Sequence, residues 1–326
     1  MKAITFAEPG GPEVLRLATV PDPTPVAGEV LVRVHATAVN RADLMQRAGY
    51  YPPPPGASDI LGLECAGEVI SIAAGTDTDL AVGDRVMCLL SGGGYAELAA
   101  VPVGQAMPVP DALSWDEAAA IPEVFLTAWV ALVTLGEARP GDVALVHAIA
   151  SGVGTAAAQL CEALDVRCIG TSRSAARANA GDRWGAEGIT VGGDGFASAV
   201  RAMTSDHGAD IVVDLVGAKY LADNVACLAR KGRIILTGLV GGRSGELDLG
   251  ALLARQGRVI GTTLRGRTVD EKAEIVSAFS AWALPRFAAG TLRPVIHTVL
   301  PLADASEAHH ILQSDEAVGK VVLRVG

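Results

Sequence analysis

The stretch VALVHAIASGVG, residues 143–154, decides the fold. Its first half is an apolar run typical of a buried strand, and a turn of small residues then leads into a helical pattern from Gly152. N–H groups at the start of such a helix point outward at its positive dipole end, where a pyrophosphate can bind. A full glycine fingerprint would have glycine at 149, 151 and 154, but this chain has Ile149, Ser151 and Gly154. By itself the loop fits an ordinary turn as well as a dinucleotide site.

The segments that follow favour the dinucleotide site. Strand and helix patterns alternate from about residue 140, which predicts right-handed βαβ units and a parallel sheet. The second strand ends about 20 residues after the loop, where the cofactor ribose belongs. The expected strands are 143–147, 167–171, 211–216, 233–238 and 258–264, and the expected helices are 152–164 and a second one that ends near Trp184.

Hydroxyl and guanidinium groups follow the second strand, at Ser172, Arg173, Ser174 and Arg177. A site specific for NAD would place Asp or Glu there to accept a hydrogen bond from the ribose 2′-hydroxyl. Guanidinium groups suit a 2′-phosphate instead, so the sequence favours NADPH over NADH. The alternative is that these charges are solvated groups at the start of a helix.

The rest of the chain has a different pattern. Residues 1 to about 110 contain short strands separated by proline and glycine, which indicates a partly closed β-barrel. A helical run over 115–135 begins at a Ser114–Glu117 capping box, and Pro122 should break it into two segments. The C-terminal segment resembles the first domain in composition. We therefore expect one domain from residues 1–123 and 267–326, and a second domain from 124–266.

Composition excludes several classes of function. The chain has 326 residues, half of them hydrophobic, which is enough for two domains with substantial cores. The net charge of -10 and the absence of a basic block disfavour nucleic acid as a partner. The N-terminus enters a strand pattern directly and no long apolar span occurs, so we expect a cytoplasmic protein with no membrane contact. Five scattered cysteines predict neither a disulfide framework nor a structural zinc site.

Several short motifs resemble the quinone oxidoreductase branch of the medium-chain dehydrogenase/reductase superfamily. Their order and spacing match along almost the whole chain. The motifs are Asn40-Arg41-Ala42-Asp43-Leu44, Tyr51-Pro52-Pro53-Pro54-Pro55-Gly56, Gly62-Leu63-Glu64, Ala119-Ala120-Ile121-Pro122, Ser151-Gly152-Val153-Gly154 and Gly319-Lys320-Val321-Val322.

The resemblance implies an α/β protein in which a GroES-like, partly closed β-barrel catalytic domain is split around a Rossmann domain, a doubly wound parallel sheet. It also implies NADPH in the cleft between these domains and a homodimer formed through the Rossmann domain. The residues that it implies at the nicotinamide and substrate end are Asn40, Tyr51 and Thr127. The cofactor-binding residues that it implies are Ser151, Gly152, Val153 and Gly154 at the pyrophosphate, Ser172, Arg173, Ser174 and Arg177 at the adenosine phosphate, Gly238, Leu239 and Leu264 at the nicotinamide ribose, and Lys320 closing the site.

Three positions depart from the family pattern. Ile149 stands where the family usually has glycine, so the loop is expected to sit differently or bind more weakly. Val191-Gly192 stands where the family often has Asn-Tyr, so an aromatic side chain against the adenosine end is missing. Zinc-dependent relatives have Gly-His-Glu where this chain has Gly62-Leu63-Glu64, and they carry a four-cysteine lobe that is absent here. Because a catalytic zinc needs about three protein ligands, we expect no metal; the role of Glu64 stays open.

Without a metal an alcohol is hard to activate, so the expected chemistry is reduction of an electrophilic acceptor by the cofactor's hydride. A quinone suits this because the hydroquinonate product can take protons from water, and the sequence predicts an NADPH:quinone oxidoreductase. The first alternative is reduction of 2-alkenals, enones or an enoyl thioester, which more often needs a proton donor. The second is a protein that binds NADPH without catalysis, as a sensor or structural protein.

Each candidate side chain also has a plainer role. Tyr51 fits either a proton donor or an aromatic gate packed on the following prolines. Asn40 fits a hydrogen-bond donor to a carbonyl or a simple turn former. Thr127 lies within a helical run, where threonine often bonds the preceding turn. Arg265 and Arg267 could contact the cofactor phosphates, but the simpler interpretation is that they are ordinary charged residues of a loop.

Overall fold

The computed structural model describes residues 1–193 and 195–326. The chain divides into two units. Unit 1 comprises Met1–Leu126 and Leu264–Gly326, and unit 2 comprises Thr127–Thr263. The domain boundaries expected from the sequence, 123/124 and 266/267, lie a few residues from these.

Most strands of the described residues have three to six residues; β3 has 11, and β4 and β12 have 9 each. In chain order they are β1 (Lys2–Thr5), β2 (Arg16–Thr19), β3 (Glu29–Val39), β4 (Glu64–Ile72), β5 (Arg85–Leu89), β6 (Leu98–Pro102), β7 (Ala106–Pro108), β8 (Val143–Val146), β9 (Arg167–Ser172), β10 (Ala186–Thr190), β11 (Ala209–Asp214), β12 (Leu228–Leu236), β13 (Arg258–Gly261), β14 (Ile296–Pro301) and β15 (Lys320–Arg324).

The α-helices connect and cover these strands. They are α1 (Arg41–Arg47), α2 (Trp115–Ala119), α3 (Pro122–Trp129), α4 (Gly152–Ala163), α5 (Ala175–Ala180), α6 (Ala197–Met203), α7 (Leu221–Ala226), α8 (Leu249–Arg255), α9 (Val269–Ala288) and α10 (Ala305–Gln313).

Unit 2 is built on a parallel sheet whose described strands follow the order β10-β9-β8-β11-β12-β13. In sequence order this is the 3-2-1-4-5-6 arrangement of a Rossmann sheet. All four residues of β8 are buried, and the chain passes from its carboxyl end through the small-residue turn into α4. The Rossmann prediction is confirmed, and the turn lies where such sheets bind their ligands.

Unit 1 contains a mixed sheet in the order β14-β15-β3-β4-β5-β7, with β6 also paired to β3. The long strand β3 therefore joins neighbours from early and late parts of the chain. β15 runs antiparallel to β3, from Val321 opposite Val39 to Arg324 opposite Ala36. The C-terminal strand thus completes a sheet begun near the N-terminus, and the GroES-like fold class is confirmed.

The local sequence signals for helix starts and breaks correctly predicted the ends of two helices. The Ser114–Glu117 capping box starts α2: the Glu117 N–H donates to Ser114 Oγ, and the Ser114 N–H donates to Glu117 Oε2. The expected break at Pro122 is confirmed, since α2 ends at Ala119 and α3 begins at Pro122. A helix was expected to reach Trp184, but α5 ends at Ala180 and a 3₁₀ turn covers 181–184.

One predicted strand was too long, and one strand of the sheet was not predicted. The strand expected over 258–264 ends at Gly261, because the chain then leaves the sheet of unit 2. β10 was not predicted at all. Its sequence, AEGIT, is short, contains a glycine and has only Ala186 and Ile189 buried, so it lacks the apolar run of a central parallel strand.

Ile149 is accommodated by packing its side chain inward rather than toward the loop surface. Its side chain is fully buried. A Cβ atom added to Gly170 on β9 would lie 2.4 Å from Ile149 Cγ1, and one added to Gly181 would lie 3.2 Å from the same atom. Gly170 therefore leaves the space that Ile149 fills, so the departure from the glycine fingerprint is absorbed inside the sheet.

Gly170→Ala is expected to lower the free energy of unfolding by about 1–3 kcal/mol, since the added methyl overlaps the Ile149 side chain. Ile149→Ala alone should cost about 2–5 kcal/mol through the cavity that it leaves. In the double variant the two changes should cost clearly less than their sum, because the alanine methyl enters the vacated space. Urea unfolding followed by circular dichroism measures all three variants, and simple additivity would contradict the packing described here.

Candidate functional site

A buried ammonium group lies at the centre of the candidate site in unit 1. Lys320 Nζ donates to three oxygen atoms: Val39 O at 3.0 Å, Asn40 Oδ1 at 2.6 Å and Glu64 Oε1 at 2.8 Å. The side chains of Lys320 and Glu64 are 4% and 0% exposed. The three N–H bonds of the ammonium are thus matched by three acceptors, which is the condition for a buried ion pair to persist.

Asn40 links this pair to the start of α1. Its Nδ2 donates to Glu64 Oε1 at 2.8 Å and to Ala38 O at 3.2 Å. Its backbone N–H donates to Asp43 Oδ2 at 2.8 Å, within the first turn of the helix that follows. Asn40 is therefore both a helix-starting residue and a member of the buried cluster. Hereafter Asn40, Glu64, Glu123 and Lys320 are called the carboxylate–lysine cluster.

Glu123 joins the carboxylate–lysine cluster from the first turn of α3. Its backbone N–H donates to Glu64 Oε2 at 2.8 Å. The residue is partly exposed, but its Oε2 atom is buried and has no hydrogen-bond partner among the described residues. Burial, reinforced by the negative charge of Glu64, raises the pKa of Glu123 to about 8. Sequence reasoning missed this residue, whose only signal is its place directly after Pro122.

Tyr51 is held by Arg265. The guanidinium carbon lies 5.3 Å from the centroid of the Tyr51 ring, and Arg265 Nη1 donates to Tyr51 O at 3.2 Å. The same side chain donates to Ser91 O and to Gln46 Oε1. Burial raises the pKa of Tyr51, and the charge of Glu123 acts in the same direction. Arg265 is only 3% exposed, so its interpretation as solvated loop charge was wrong.

A second buried chain of polar groups fixes Asp43 behind the carboxylate–lysine cluster. Asp43 Oδ1 accepts from the Gly62 N–H, and its Oδ2 accepts from the Tyr95 hydroxyl. His309 Nε2 lies 3.1 Å from Tyr95 Oη, and its Nδ1 lies 3.0 Å from Arg47 Nη1. Because arginine can only donate, Nδ1 accepts and Nε2 carries the proton. Burial and the Arg47 charge lower the pKa of His309 to about 3, so the ring is a neutral structural element.

The phosphate loop lies in unit 2. Ser151 is the N-cap of α4, and its Oγ accepts from the Gly154 N–H at 3.0 Å. A Cβ atom on Gly154 would lie 2.4 Å from Ala148 O and 2.6 Å from Ile149 O, so only glycine permits this turn. Gly152 and Val153 form the first turn, whose N–H groups have no acceptor within the helix. The loop has the form of an anion-binding helix start.

The expected adenosine-phosphate residues lie at the end of β9. Ser172 is nearly buried, and its Oγ accepts from the Ser174 N–H at 3.3 Å. Arg173 is exposed and Arg177 is partly buried. A cavity of about 300 Å³ also lies in unit 2, and its lining residues are Val191, Gly192, Gly193, Gly195, Lys219, Tyr220 and Asp223. Val191 and Gly192, which replace the family's Asn-Tyr, therefore border open space.

The remaining expected residues are spread over both units. Leu239 lines a second cavity of unit 2, of about 370 Å³, and Gly238 lies just before it, two residues after the end of β12. Thr127 lies on α3 and belongs to unit 2, whereas Asn40, Tyr51 and Lys320 belong to unit 1. Leu264, which was expected on the last strand of the Rossmann sheet, is buried in unit 1 instead.

A buried network of hydrogen bonds, which the sequence did not predict, lies beside the phosphate loop of unit 2. His147, directly after β8, has Nδ1 2.8 Å from Thr171 Oγ1 and Nε2 2.7 Å from Asn224 Oδ1. Asn224 Nδ2 donates to Asp214 Oδ2 at 2.9 Å. Burial lowers the pKa of His147 to about 4, so the ring is neutral. The network ties the ends of three neighbouring strands together beside the phosphate loop.

Among the described residues, His, Cys, Asp and Glu side chains form no group of three or more arranged to hold a metal ion. Within the same part of the chain, no helix has the length and apolar character needed to cross a membrane.

Comparison with known proteins agrees with the division of the chain into two units. The family model for the alcohol dehydrogenase GroES-like domain matches residues 26–111, and the model described as zinc-binding dehydrogenase matches residues 152–281. The quinone oxidoreductase of Rattus norvegicus is 31% identical to this chain over 99% of its length and 97% of the relative.

Solved structures match over the full chain. A mycobacterial protein complexed with NADPH superimposes with a TM-score of 0.90 at 32% identity, covering 99% of this chain and 100% of that one. An NAD-dependent alcohol dehydrogenase superimposes with a TM-score of 0.87 at 34% identity, covering 100% of both chains.

Lys320→Met is expected to lower the free energy of unfolding by about 3–5 kcal/mol, because Glu64 would remain buried without its counter-charge. Adding Glu64→Gln to this variant should recover part of the loss, since the uncompensated charge is then removed. Urea unfolding measures both, with Lys2→Met as a control at an exposed lysine. A Lys320→Met variant as stable as the control would contradict the ion pair's structural role.

Proposed function

Because the chain belongs to the quinone oxidoreductase branch of the medium-chain dehydrogenase/reductase superfamily, we propose that it reduces quinones with NADPH and without zinc. Unit 2 binds the cofactor and unit 1 supplies the groups that hold the acceptor. The small-molecule acceptor is a quinone in the first instance, and a conjugated carbonyl is the alternative.

The observation that carries the zinc-free proposal is the position of the Lys320 ammonium. Three oxygen atoms surround it, so the negative charge of Glu64 is already neutralised by a cation belonging to the chain itself. The neighbouring Leu63 offers no metal ligand. Without a Lewis acid an alcohol is a poor hydride donor, whereas a quinone accepts hydride readily because its reduction restores an aromatic ring.

The residues of unit 2 fit NADPH. The N-terminal turn of α4 offers N–H groups and a positive dipole end to a pyrophosphate. The hydroxyls and guanidiniums at the end of β9 suit a 2′-phosphate, and the chain has no carboxylate at 171–174 to prefer a free 2′-hydroxyl. When bound, NADPH supplies the hydride. Gly238 and Leu239 are proposed to border its nicotinamide ribose, and Leu264 no longer has support from a strand of that sheet.

In unit 1, the side chains of Asn40 and Lys320 serve the site mainly by orienting Glu64 and one another. Tyr51 is proposed to line the acceptor site and exclude water from it. Arg265 donates a hydrogen bond to its backbone carbonyl and lies over its ring, which fixes the side chain. The role of Thr127 as a nicotinamide or substrate contact stays a proposal. We also propose that the protein is a cytoplasmic homodimer, which light scattering after size-exclusion chromatography tests.

The decisive assay follows NADPH consumption with 1,2- and 1,4-quinones and with 2-alkenals as acceptors, and with NADH in place of NADPH. We expect quinone turnover to exceed alkenal turnover and NADPH to be preferred. Preferential alkenal reduction would favour the enone alternative. NADPH binding without reduction of any acceptor would leave a binding protein, and alcohol oxidation with NAD would overturn the proposal.

Arg173→Ala and Arg177→Ala are each expected to raise KM for NADPH about tenfold or more, because each removes a charge-assisted contact to the 2′-phosphate. KM for NADH, which lacks that phosphate, should stay within about twofold on the same reasoning. Arg183→Ala is the matched control, an exposed arginine of unit 2 that follows α5. Steady-state kinetics with both cofactors measures the effect, and equal losses for NADPH and NADH would reject the assignment.

A further inference from the structure

The carboxylate–lysine cluster contains two carboxyl groups in unequal surroundings. Glu64 receives three hydrogen bonds, from Asn40 Nδ2, from Lys320 Nζ and from the Glu123 N–H. Glu123 Oε2 is buried and receives none from the described residues. Where two carboxyls share a site, the one that receives more hydrogen bonds keeps its charge and the other holds a proton.

The charged and titratable groups that act on Glu123 come from several elements of unit 1. Glu64 and Asp43 favour its protonated form, whereas Lys320 and Lys272 favour its ionised form. The charge of Glu123 also acts on Tyr51 and Arg265, in each case in the direction of a higher pKa. Neither lysine is placed to pair with it directly: Lys320 Nζ bonds Val39, Asn40 and Glu64, and Lys272 Nζ donates to Ser91 Oγ. Desolvation remains the largest effect, so the proton stays on Glu123 near neutral pH.

A buried carboxyl oxygen without a partner, such as Glu123 Oε2, is costly unless something else uses its hydrogen bond. Glu123 contacts Glu64 through its backbone N–H, and Glu64 in turn accepts from Asn40, one of the residues proposed at the substrate end. Glu123 thus combines an available proton with a place beside the proposed substrate residues, whereas Tyr51 holds its own proton more tightly than a free tyrosine does.

We propose that Glu123, whose buried Oε2 has no partner among the described residues, is the proton donor of the reduction and delivers its proton to the acceptor that receives the hydride. This inference rests on the proposed reduction of a quinone or conjugated carbonyl. It also assigns Tyr51 to shaping the site rather than to proton transfer.

Hydride adds to the acceptor and leaves one oxygen, or the carbon next to the carbonyl of an enone, with an extra electron pair. The Glu123 O–H bond breaks, and its proton bonds to that atom. Glu123 is left as a carboxylate and regains a proton from water before the next turnover. The sum is one acceptor, one NADPH and one proton converted to reduced acceptor and NADP⁺.

The protonation state is tested without turnover. The infrared difference spectrum of wild type minus Glu123→Gln should show the C=O stretch of a neutral carboxylic acid at pH 7, and the band should vanish well above pH 8. Stability gives a second readout. An acid whose pKa is raised from 4.5 to about 8 on folding destabilises the fold progressively as pH rises through that window. Glu123→Gln should therefore gain urea resistance over wild type as the pH rises from 5 to 9.

The kinetic test compares Glu123→Gln, Glu123→Asp, Tyr51→Phe and Glu274→Gln, the last being a control at an exposed glutamate of α9. We expect Glu123→Gln to lower kcat by about 10²-fold and to abolish the loss of rate above pH about 8, as removal of a general acid does. Glu123→Asp should restore a pH-dependent limb, and Tyr51→Phe should keep it.

Three results would overturn the inference. A missing carboxylic-acid band at pH 7 would show that Glu123 is ionised, whatever the enzyme reduces. A Glu123→Gln variant that keeps the wild-type rate and pH profile would show that its proton is not used. If wild type shows the band but reduces no acceptor, the proposed function fails, and proton delivery fails with it, while the buried acid itself is confirmed.

Discussion

The buried ion pair between Glu64 and Lys320 is the constraint on which unit 1 depends. Burying two charges costs several kcal/mol for each ion, so the pair is stable only when every donor and acceptor around it is matched. Here Asn40, Val39 and the first turn of α3 supply the matches. Lys320 is the first residue of β15, so the C-terminal strand must return to β3 and β4 for the cluster to form.

The same pair supports the proposal that this chain works without a Lewis acid, although its fold is shared with dehydrogenases. A cation already occupies the oxygen atoms beside Leu63, and it is tethered to the chain. Beside it lies the carboxyl of Glu123, whose buried Oε2 has no hydrogen-bond partner among the described residues. A fixed cation and a neutral acid suit the reduction of an acceptor that gains negative charge, because the acid can neutralise that charge as it develops.

The sequence predicted the fold better than the site, for a physical reason. The βαβ rhythm after residue 140, the Ser114 cap and the break at Pro122 are local signals, and all of them appear in the structure. The family resemblance implied Asn40 at the substrate end and Lys320 closing the site, but it did not predict that both would meet at Glu64, whose role stayed open. Partners far apart in the chain, such as Arg265 with Tyr51, leave no periodic or spacing signal, so loop charge was the natural but wrong interpretation. Ile149 was expected to make the phosphate loop sit differently or bind more weakly, and the glycine that accommodates its side chain lies on the next strand.

The central claim is that a cation of the chain itself, not a metal, completes the catalytic unit. The most direct test is quinone turnover measured against zinc content, on protein stripped with a chelator and on protein reloaded with zinc. The account predicts full NADPH-dependent turnover at a zinc content far below one ion per chain, with no gain on reloading. Turnover that disappears on stripping and returns in proportion to bound zinc would contradict it.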